Sequence, residues 1–211
     1  MSSSVALSVV VEQGKRRVFA SALDWPGWSR AARDEDGALE ALLDYADRFR
    51  PVAERAGLRL PKRLEAEVVE RLTGDATTDF GAPSIAAKAE SRPLTAKAAG
   101  RQAALLQAAW ATLDDVVAQA SPTLRKGPRG GGRDRDAVVQ HVLNGERGYA
   151  GKIGVRARDE PDLRAALLRV LGARSDGSEL RPGGWTSSYA TRRIIWHVLY
   201  HAWEIEDKSE A

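Results

Sequence analysis

The sequence predicts an α+β protein, with a small β-β-β-α-β module at residues 1–73, a connection at 74–93 and a four-helix bundle at 94–211. Three observations lead to this prediction. Short apolar runs separated by turn residues fill the first part of the chain. After residue 94, apolar residues recur at helical spacing in four long segments. The connection, "GDATTDFGAPSIAAKAESRP", is rich in small, polar and turn residues, which is typical of a domain boundary.

The first module opens with two predicted strands, at residues 5–12 and 17–24. The turn "WPGW" then leads into a third strand. Asp34 is the expected N-cap of a helix whose apolar residues recur up to Pro51. Residues 64–72, "LEAEVVERL", alternate apolar residues with glutamates, so they suit a fourth strand, with a helix nearly as well supported.

Residues 19–49, "FASALDWPGWSRAARDEDGALEALLDYADRF", resemble the HicB-like module. In that module a strand ending in a Pro-Gly turn precedes a helix that opens with an acidic, Glu-Ala-Leu-like segment. The resemblance implies a HicB-like fold for the first 73 residues.

The second part of the chain predicts four helices, at about 95–119, 134–155, 160–173 and 187–207. Two segments dense in Gly, Pro, Ser and Asp separate the later helices, "SPTLRKGPRGGGRD" and "SDGSELRPGG". Asp136 and Thr186 follow these segments, near the expected N-caps. Four helices joined in this way indicate a bundle.

Composition excludes several classes of function. The chain of 211 residues has no cysteine, which rules out disulfides, thiolate zinc sites and a catalytic cysteine. Its net charge of +3 comes from 32 basic and 29 acidic residues, too small a surplus to imply nucleic acid. The apolar run "VALSVVV" has no basic residues before it and is too short to span a bilayer, so we expect a cytoplasmic protein with no membrane partner.

Two of the chain's three histidines, His197 and His201, stand four positions apart in "RRIIWHVLYHAWEIED". On a helix they lie one turn apart and about 40° around the axis, so both imidazoles can approach one ion. The sequence "HVLYH" lacks the glutamate that follows the first histidine of zinc proteases, which excludes that class. The alternative is two core or surface histidines spaced by chance.

The third histidine, His141, lies in the predicted helix "RDAVVQHVLNGERGYAGKIG". Gly145, Gly148 and Tyr149 are on or beside its face. A glycine inside a helix costs about 1 kcal/mol relative to alanine, so two of them beside a histidine require a reason. Space for a bound ligand or cofactor is one reason, and close packing of another helix is nearly as good.

The segments "VVQHVLNGERGYAGKIG" and "RRIIWHVLYHAWEIED" together resemble the DinB-like, or DinB/YfiT-type, metal-binding four-helix bundles, over about residues 94–207. The resemblance implies that His141, His197 and His201 bind a divalent ion, with zinc or nickel the usual candidates. Some members are transferases or isomerases that use a low-molecular-weight thiol such as mycothiol, bacillithiol or glutathione. Many members have no known activity, so the fold does not fix the reaction.

Three neutral imidazoles would leave the metal its full charge and open coordination positions, as in catalytic sites. A thiol bound there would lose its proton and become a nucleophile, and mycothiol is the first candidate, because the arginine and alanine bias is common in the GC-rich bacteria that make it. Glu204 is the candidate catalytic residue, as a group that orients a histidine, accepts a proton or adds a ligand. A solvated carboxylate in the last turn is the alternative.

The same helix carries a second apolar side, formed by aromatic residues: Tyr189, Trp196, Tyr200 and Trp203. This aromatic arc should be covered by the N-terminal module or by a second subunit of a homodimer, unless the helix is simply central and fully buried.

Three classes of function therefore compete. The first is a metal enzyme acting on a small molecule, and the second is a non-catalytic binding or regulatory protein with a structural metal. The third is nucleic-acid binding through "LRKGPRGGGRDR", but this segment has no aromatic residue and matches no motif, so a solvated linker is the better interpretation.

Overall fold

The computed structural model describes residues 4–127, 131–157 and 160–209. Within them the chain has the predicted α+β fold, with a four-stranded mixed sheet and seven α-helices. The strands are β1 (Val5–Gln13), β2 (Val18–Ala22), β3 (Ser29–Ala32) and β4 (Leu64–Thr73). The helices are α1 (Glu35–Asp44), α2 (Ala46–Arg55), α3 (Ala76–Phe80), α4 (Ala96–Gln119), α5 (Arg135–Lys152), α6 (Glu160–Leu171) and α7 (Ser187–Lys208). No helix in these ranges has both the length and the apolarity needed to cross a membrane.

The sheet has the strand order β3-β2-β1-β4. β1 pairs antiparallel with β2 and parallel with β4, and β2 pairs antiparallel with β3. Along β4, partly buried and exposed residues alternate without interruption. The strand interpretation of residues 64–72 is therefore confirmed, and the helical alternative is wrong.

The helical part of the N-terminal module differs from the prediction. Asp34 caps α1 as expected, since its side chain accepts a hydrogen bond from the backbone N of Gly37 at 2.9 Å. The prediction of one helix ending at Pro51 is wrong in two ways. The helix is interrupted at Tyr45, which separates α1 from α2, and α2 continues past the proline to Arg55. Pro51 removes one backbone hydrogen bond from α2, and burial of the side chains around it holds the helix: Phe49, Val52 and Ala53.

The two faces of the sheet contact different helices. Alternate residues of a strand point to opposite faces, so Val18 and Phe19 lie on different sides. Ala32 of β3 is the pairing partner of Val18 and lies on the same face of the sheet. Its side chain packs against α1 near Gly37. The opposite face reaches α7, where the ring centroid of Phe19 lies 6.1 Å from that of Trp196. The sheet is thus held between α1 and the last helix.

The "WPGW" turn is also a contact with α7. Gly27 has a positive φ of 91°, and a Cβ atom there would lie 2.1 Å from Cγ2 of Ile195. Only glycine fits both the backbone conformation and this approach. The next residue, Trp28, stacks on Phe49 and donates its indole N–H to the carbonyl of Leu42. The turn therefore contacts α7 through Gly27 and contacts α1 and α2 through Trp28.

α7 is the central helix of the fold. It packs against α4, α5 and α6, and most of its residues are buried, Tyr200 being 43% exposed. The N-terminal module covers the two tryptophans of the aromatic arc: Trp196 meets Phe19, and Trp203 lies 5.4 Å from Tyr45 between ring centroids. Tyr189 instead donates a hydrogen bond to the carbonyl of Ser84 in the connection. The expected cover by the N-terminal module therefore holds for part of the arc.

Of the two N-caps predicted for the later helices, the one at α7 is confirmed and the one at α5 is wrong. Thr186 caps α7, because its hydroxyl accepts from the backbone N of Tyr189. The N-cap of α5 is Asp134 rather than Asp136, which lies in the first turn of that helix. Asp134 accepts instead from the backbone N of Leu124. Residues 128–130, within the basic segment considered for nucleic acid, lie outside the described residues.

The predicted connection, residues 74–93, contains α3 and a short 3-10 helix, Lys88–Ser91. It packs onto both parts of the chain. The buried carboxylate of Glu12 accepts hydrogen bonds from Thr78 and from the backbone N of Ser84. Glu90 accepts from Arg192 of α7 at 2.6 and 2.9 Å, and both side chains are buried. The domain limits 1–73 and 94–211 stay a prediction.

Candidate metal centre

α5 and α7 bring the three histidines together. One potential ligand atom from each of His141, His197 and His201 lies within 4.8 Å of the others. The Nε2 atoms of His141 and His197 are 3.4 Å apart, and the ring centroids of His197 and His201 are 4.7 Å apart. The three imidazoles are therefore close enough to bind one metal ion.

The helical register of α7 explains half of this arrangement. Residues four apart lie on the same face, so His197 and His201 both point towards α5. Arg193 lies on the same face one turn earlier, where its guanidinium donates to the carbonyl of Pro83 and lies over the rings of Tyr149 and Trp196. Arg193 was not among the residues predicted for this site, although its spacing of four from His197 was the same signal.

Gly145 explains how α5, which carries His141, can pack so close to His197 on α7. A Cβ atom at this position would lie 2.5 Å from Cε1 of His197, well inside any normal contact. Gly145 thus makes room for His197 itself, which is the packing explanation considered for the two glycines. Gly148 is exposed, and a Cβ there would have nothing within 4 Å. A role in cofactor binding for either glycine stays a prediction.

Tyr149 borders the centre on the α5 side. Its ring meets that of His197 edge-on, with 5.5 Å between centroids. Its hydroxyl accepts a hydrogen bond of 3.4 Å from Arg193. Burial raises the pKa of Tyr149, so its phenol stays protonated and can donate a hydrogen bond.

Glu204 is not one of the three possible metal ligands, but it forms a hydrogen bond with one of them, His201. Its Oε2 lies 2.7 Å from Nδ1 of His201, and Lys208 donates to its other oxygen. The hydrogen bond from His201, followed by that from Lys208, lowers the pKa of Glu204 to about 2 despite the opposing effect of burial. A carboxylate only accepts hydrogen bonds, so Nδ1 of His201 is the donor in this contact and Nε2 is the nitrogen left to face a metal. This geometry suits the orienting role among those expected for Glu204.

The electrostatic surroundings of two of the imidazoles, His197 and His141, favour their neutral form. Burial, followed by the neighbouring His201 and His141, lowers the pKa of His197 to about 2. Burial and His201 also lower the pKa of His141. Neutral imidazoles have the lone pair that a metal requires.

The donor set fits a divalent ion. Three imidazole nitrogens suit zinc, nickel and related metals, whereas magnesium and calcium prefer oxygen ligands. His197 and His201 are each 6% exposed, and His141 is partly exposed. Solvent therefore reaches the group on the side of His141. Nδ1 of His197 is buried and has no hydrogen-bond partner among the described residues.

Comparisons with known protein families, with curated proteins and with solved structures found no match to this chain. The three histidines come from two helices, α5 and α7, which α6 separates in the sequence, and they meet at one point.

Proposed function

We propose that this chain binds one divalent metal ion, zinc or nickel, through His141, His197 and His201. The observation that carries the proposal is the approach of these three side chains to within 4.8 Å across two helices. They are all the histidines of the chain. A chance cluster would not use every member of so rare a residue type.

We further propose that the chain combines a HicB-like module with a DinB-like bundle. Three strands, two helices and a fourth strand in that order support the first part. Four long helices, with one histidine on the second and two on the last, support the second part. Both assignments depend on the sequence resemblance together with this element order.

The proposed chemistry is a transferase or isomerase reaction that uses a low-molecular-weight thiol, with mycothiol the first candidate. A bound divalent ion would supply Lewis acidity and lower the pKa of a coordinated thiol. The chain has no cysteine of its own, so the nucleophile would come from outside. Glu204 would hold His201 in the tautomer that presents Nε2, and Arg193 and Tyr149 would place a cation and a hydrogen-bond donor beside His197.

A second candidate is a non-catalytic binding or regulatory protein with a structural metal. The burial of His197 and His201 favours it, because structural sites are closed to solvent. In that case the ion would join α5 to the central helix. The two candidates differ in whether a small molecule can reach the metal past His141.

Elemental analysis of protein purified anaerobically, without a histidine tag, tests the shared premise. We expect about one zinc or nickel ion per chain and a loss of bound metal in His141→Ala, His197→Ala and His201→Ala. Gln140→Ala, an exposed neighbour of His141 on α5, should keep its metal. Full occupancy surviving in His141→Ala would rule out the shared site.

A further inference from the structure

A cleft lies beside the candidate metal centre, where the N-terminal module meets α7. Its volume is about 210 Å³. Arg30 of β3 and Tyr45, between α1 and α2, form one side. Tyr200, Trp203 and Glu204 of α7 form the other. Each half of the chain thus supplies one wall.

Arg30 is the unusual residue of this cleft. Its guanidinium carbon lies 3.6 Å from the ring centroid of Tyr45, and the side chain is partly buried. Its Nε is fully buried and has no hydrogen-bond partner among the described residues. A buried donor without an acceptor is costly. Burial also lowers the pKa of Arg30, as expected for a cation whose charge is poorly compensated.

The acidic groups around the cleft are engaged by other cations. Arg48 donates to Glu206 and Asp207 at 2.6 and 2.7 Å. Lys208 donates to Glu204, which also binds His201. Arg30 is left facing the cleft with aromatic rings and no direct carboxylate contact among the described side chains.

We propose that this cleft binds the carboxylate of a small molecule with a flat apolar body. The guanidinium fork of Arg30 matches a carboxylate, and a ligand in the cleft would offer its carboxylate to the terminal nitrogens of that fork. The rings of Tyr45, Tyr200 and Trp203 offer apolar surface to the rest of the ligand. A phosphate dianion suits the cleft less well, because Glu204 and Asp207 also line it and would repel the second charge.

The proposed site goes beyond the metal chemistry and does not require a bound ion. The two sites share Glu204, which lines the cleft and accepts from His201. A ligand in the cleft would therefore contact the residue that orients one metal ligand. This arrangement also gives the N-terminal module a function, since it supplies the arginine.

Binding of benzoate to the full chain, measured by calorimetry on metal-loaded and chelator-treated protein, tests the proposal. We expect binding in both samples, weakened about tenfold or more in Arg30→Met, because a charge-assisted contact is lost. Arg30→Lys should bind with intermediate affinity. The matched control is Arg101→Met, since Arg101 also lies over an aromatic ring, that of Trp25, but outside the cleft, where it donates to the backbone carbonyl of Asp24. Benzyl alcohol and inorganic phosphate should bind more weakly than benzoate.

Equal benzoate affinity in the two methionine variants would overturn the proposal, as would the absence of benzoate binding or a preference for phosphate. If Arg30→Met does not fold, the comparison of Arg30→Lys with wild type decides. Metal content is measured on the same samples. Protein that binds benzoate but no metal would contradict the proposed metal centre alone, and protein that binds metal but no benzoate would contradict the cleft alone.

Discussion

A Cβ atom on Gly145 would lie 2.5 Å from Cε1 of His197. The backbone of α5 and a proposed metal ligand on α7 are therefore in direct contact, at a position where any side chain would displace the imidazole. The orphan Nδ1 of His197 lies on the same side, 3.0 Å from that Cβ position. This contact limits how closely α5 can approach the His197 ring.

Replacing Gly145 by alanine should weaken metal binding, because the new methyl group pushes His197 out of line with the other two ligands. The control is Gly148→Ala, three residues along the same helix, where a methyl group meets nothing within 4 Å. That change should leave affinity unaltered and stabilise the protein by up to about 1 kcal/mol. Chelator competition measures the affinity and urea unfolding the stability. Equal affinities of the two variants would contradict the steric role of Gly145.

Glu204→Gln should lower metal affinity by about 10-fold to 100-fold, the usual effect of losing a partner that orients a ligating histidine. Glutamine can no longer attract the Nδ1 proton with a full charge, and the ion pair with Lys208 is also lost. Glu206→Gln, on the same turn but paired with Arg48, is the control and should keep its affinity. If both variants bind equally well, Glu204 is only a surface carboxylate.

A thiol should bind at the metal if the transferase proposal is right. With cobalt in place of the native ion, mycothiol should produce a sulfur-to-metal charge-transfer band near the ultraviolet. Bacillithiol and glutathione test the choice of thiol, and a non-thiol analogue is the control. A cobalt spectrum that responds to small carboxylates but to no thiol would favour a hydrolytic or structural site, and one that responds to neither would favour the regulatory candidate.

A fragment of residues 94–211 should form helices, but it should be less stable than the full chain. It lacks Glu90, so the buried Arg192 would lose its ion-pair partner, typically a cost of about 3–5 kcal/mol. It also uncovers Trp196 and Trp203, which lie against Phe19 and Tyr45. A longer fragment, 82–211, keeps Glu90 and so separates the loss of the N-terminal module from the loss of this ion pair. Circular dichroism and thermal melting measure both, and a fragment 94–211 as stable as the full chain would establish the predicted boundary.

Local periodicity in the sequence allowed the right interpretation without deciding it. The alternation in β4 suited a strand and, nearly as well, a helix, and the pairing with β1 decides for the strand. The spacing of His197 and His201 suited a shared ion or a chance pair, and the structure brings both close to His141. The sequence was insufficient where tertiary packing overrides local preference. Buried side chains keep α2 helical through Pro51, which local rules place at the end of a helix.

Contacts between residues far apart in the chain could not be predicted from the sequence either. Nothing near Arg30 indicates that Tyr200 will lie across the same cleft, since the two are far apart in the chain. Glu90 and Arg192, 102 positions apart, form their buried pair only because residues 74–93 fold back onto α7. Gly145 could be identified as unusual, but whether a ligand or a side chain fills its space depends on where α7 packs.

The position of β1 in the sheet has a consequence for hydrogen exchange. β1 has a hydrogen-bonded neighbour on each edge, and its inner residues are almost completely buried on both faces: Leu7, Val9, Val10, Val11 and Glu12. β4 is an edge strand, so its fraying would expose only the β1 amides that are bonded to β4. The β1 amides bonded to β2 should exchange with deuterium only when the sheet opens more widely, and their slower rates would report a free energy closer to that of global unfolding.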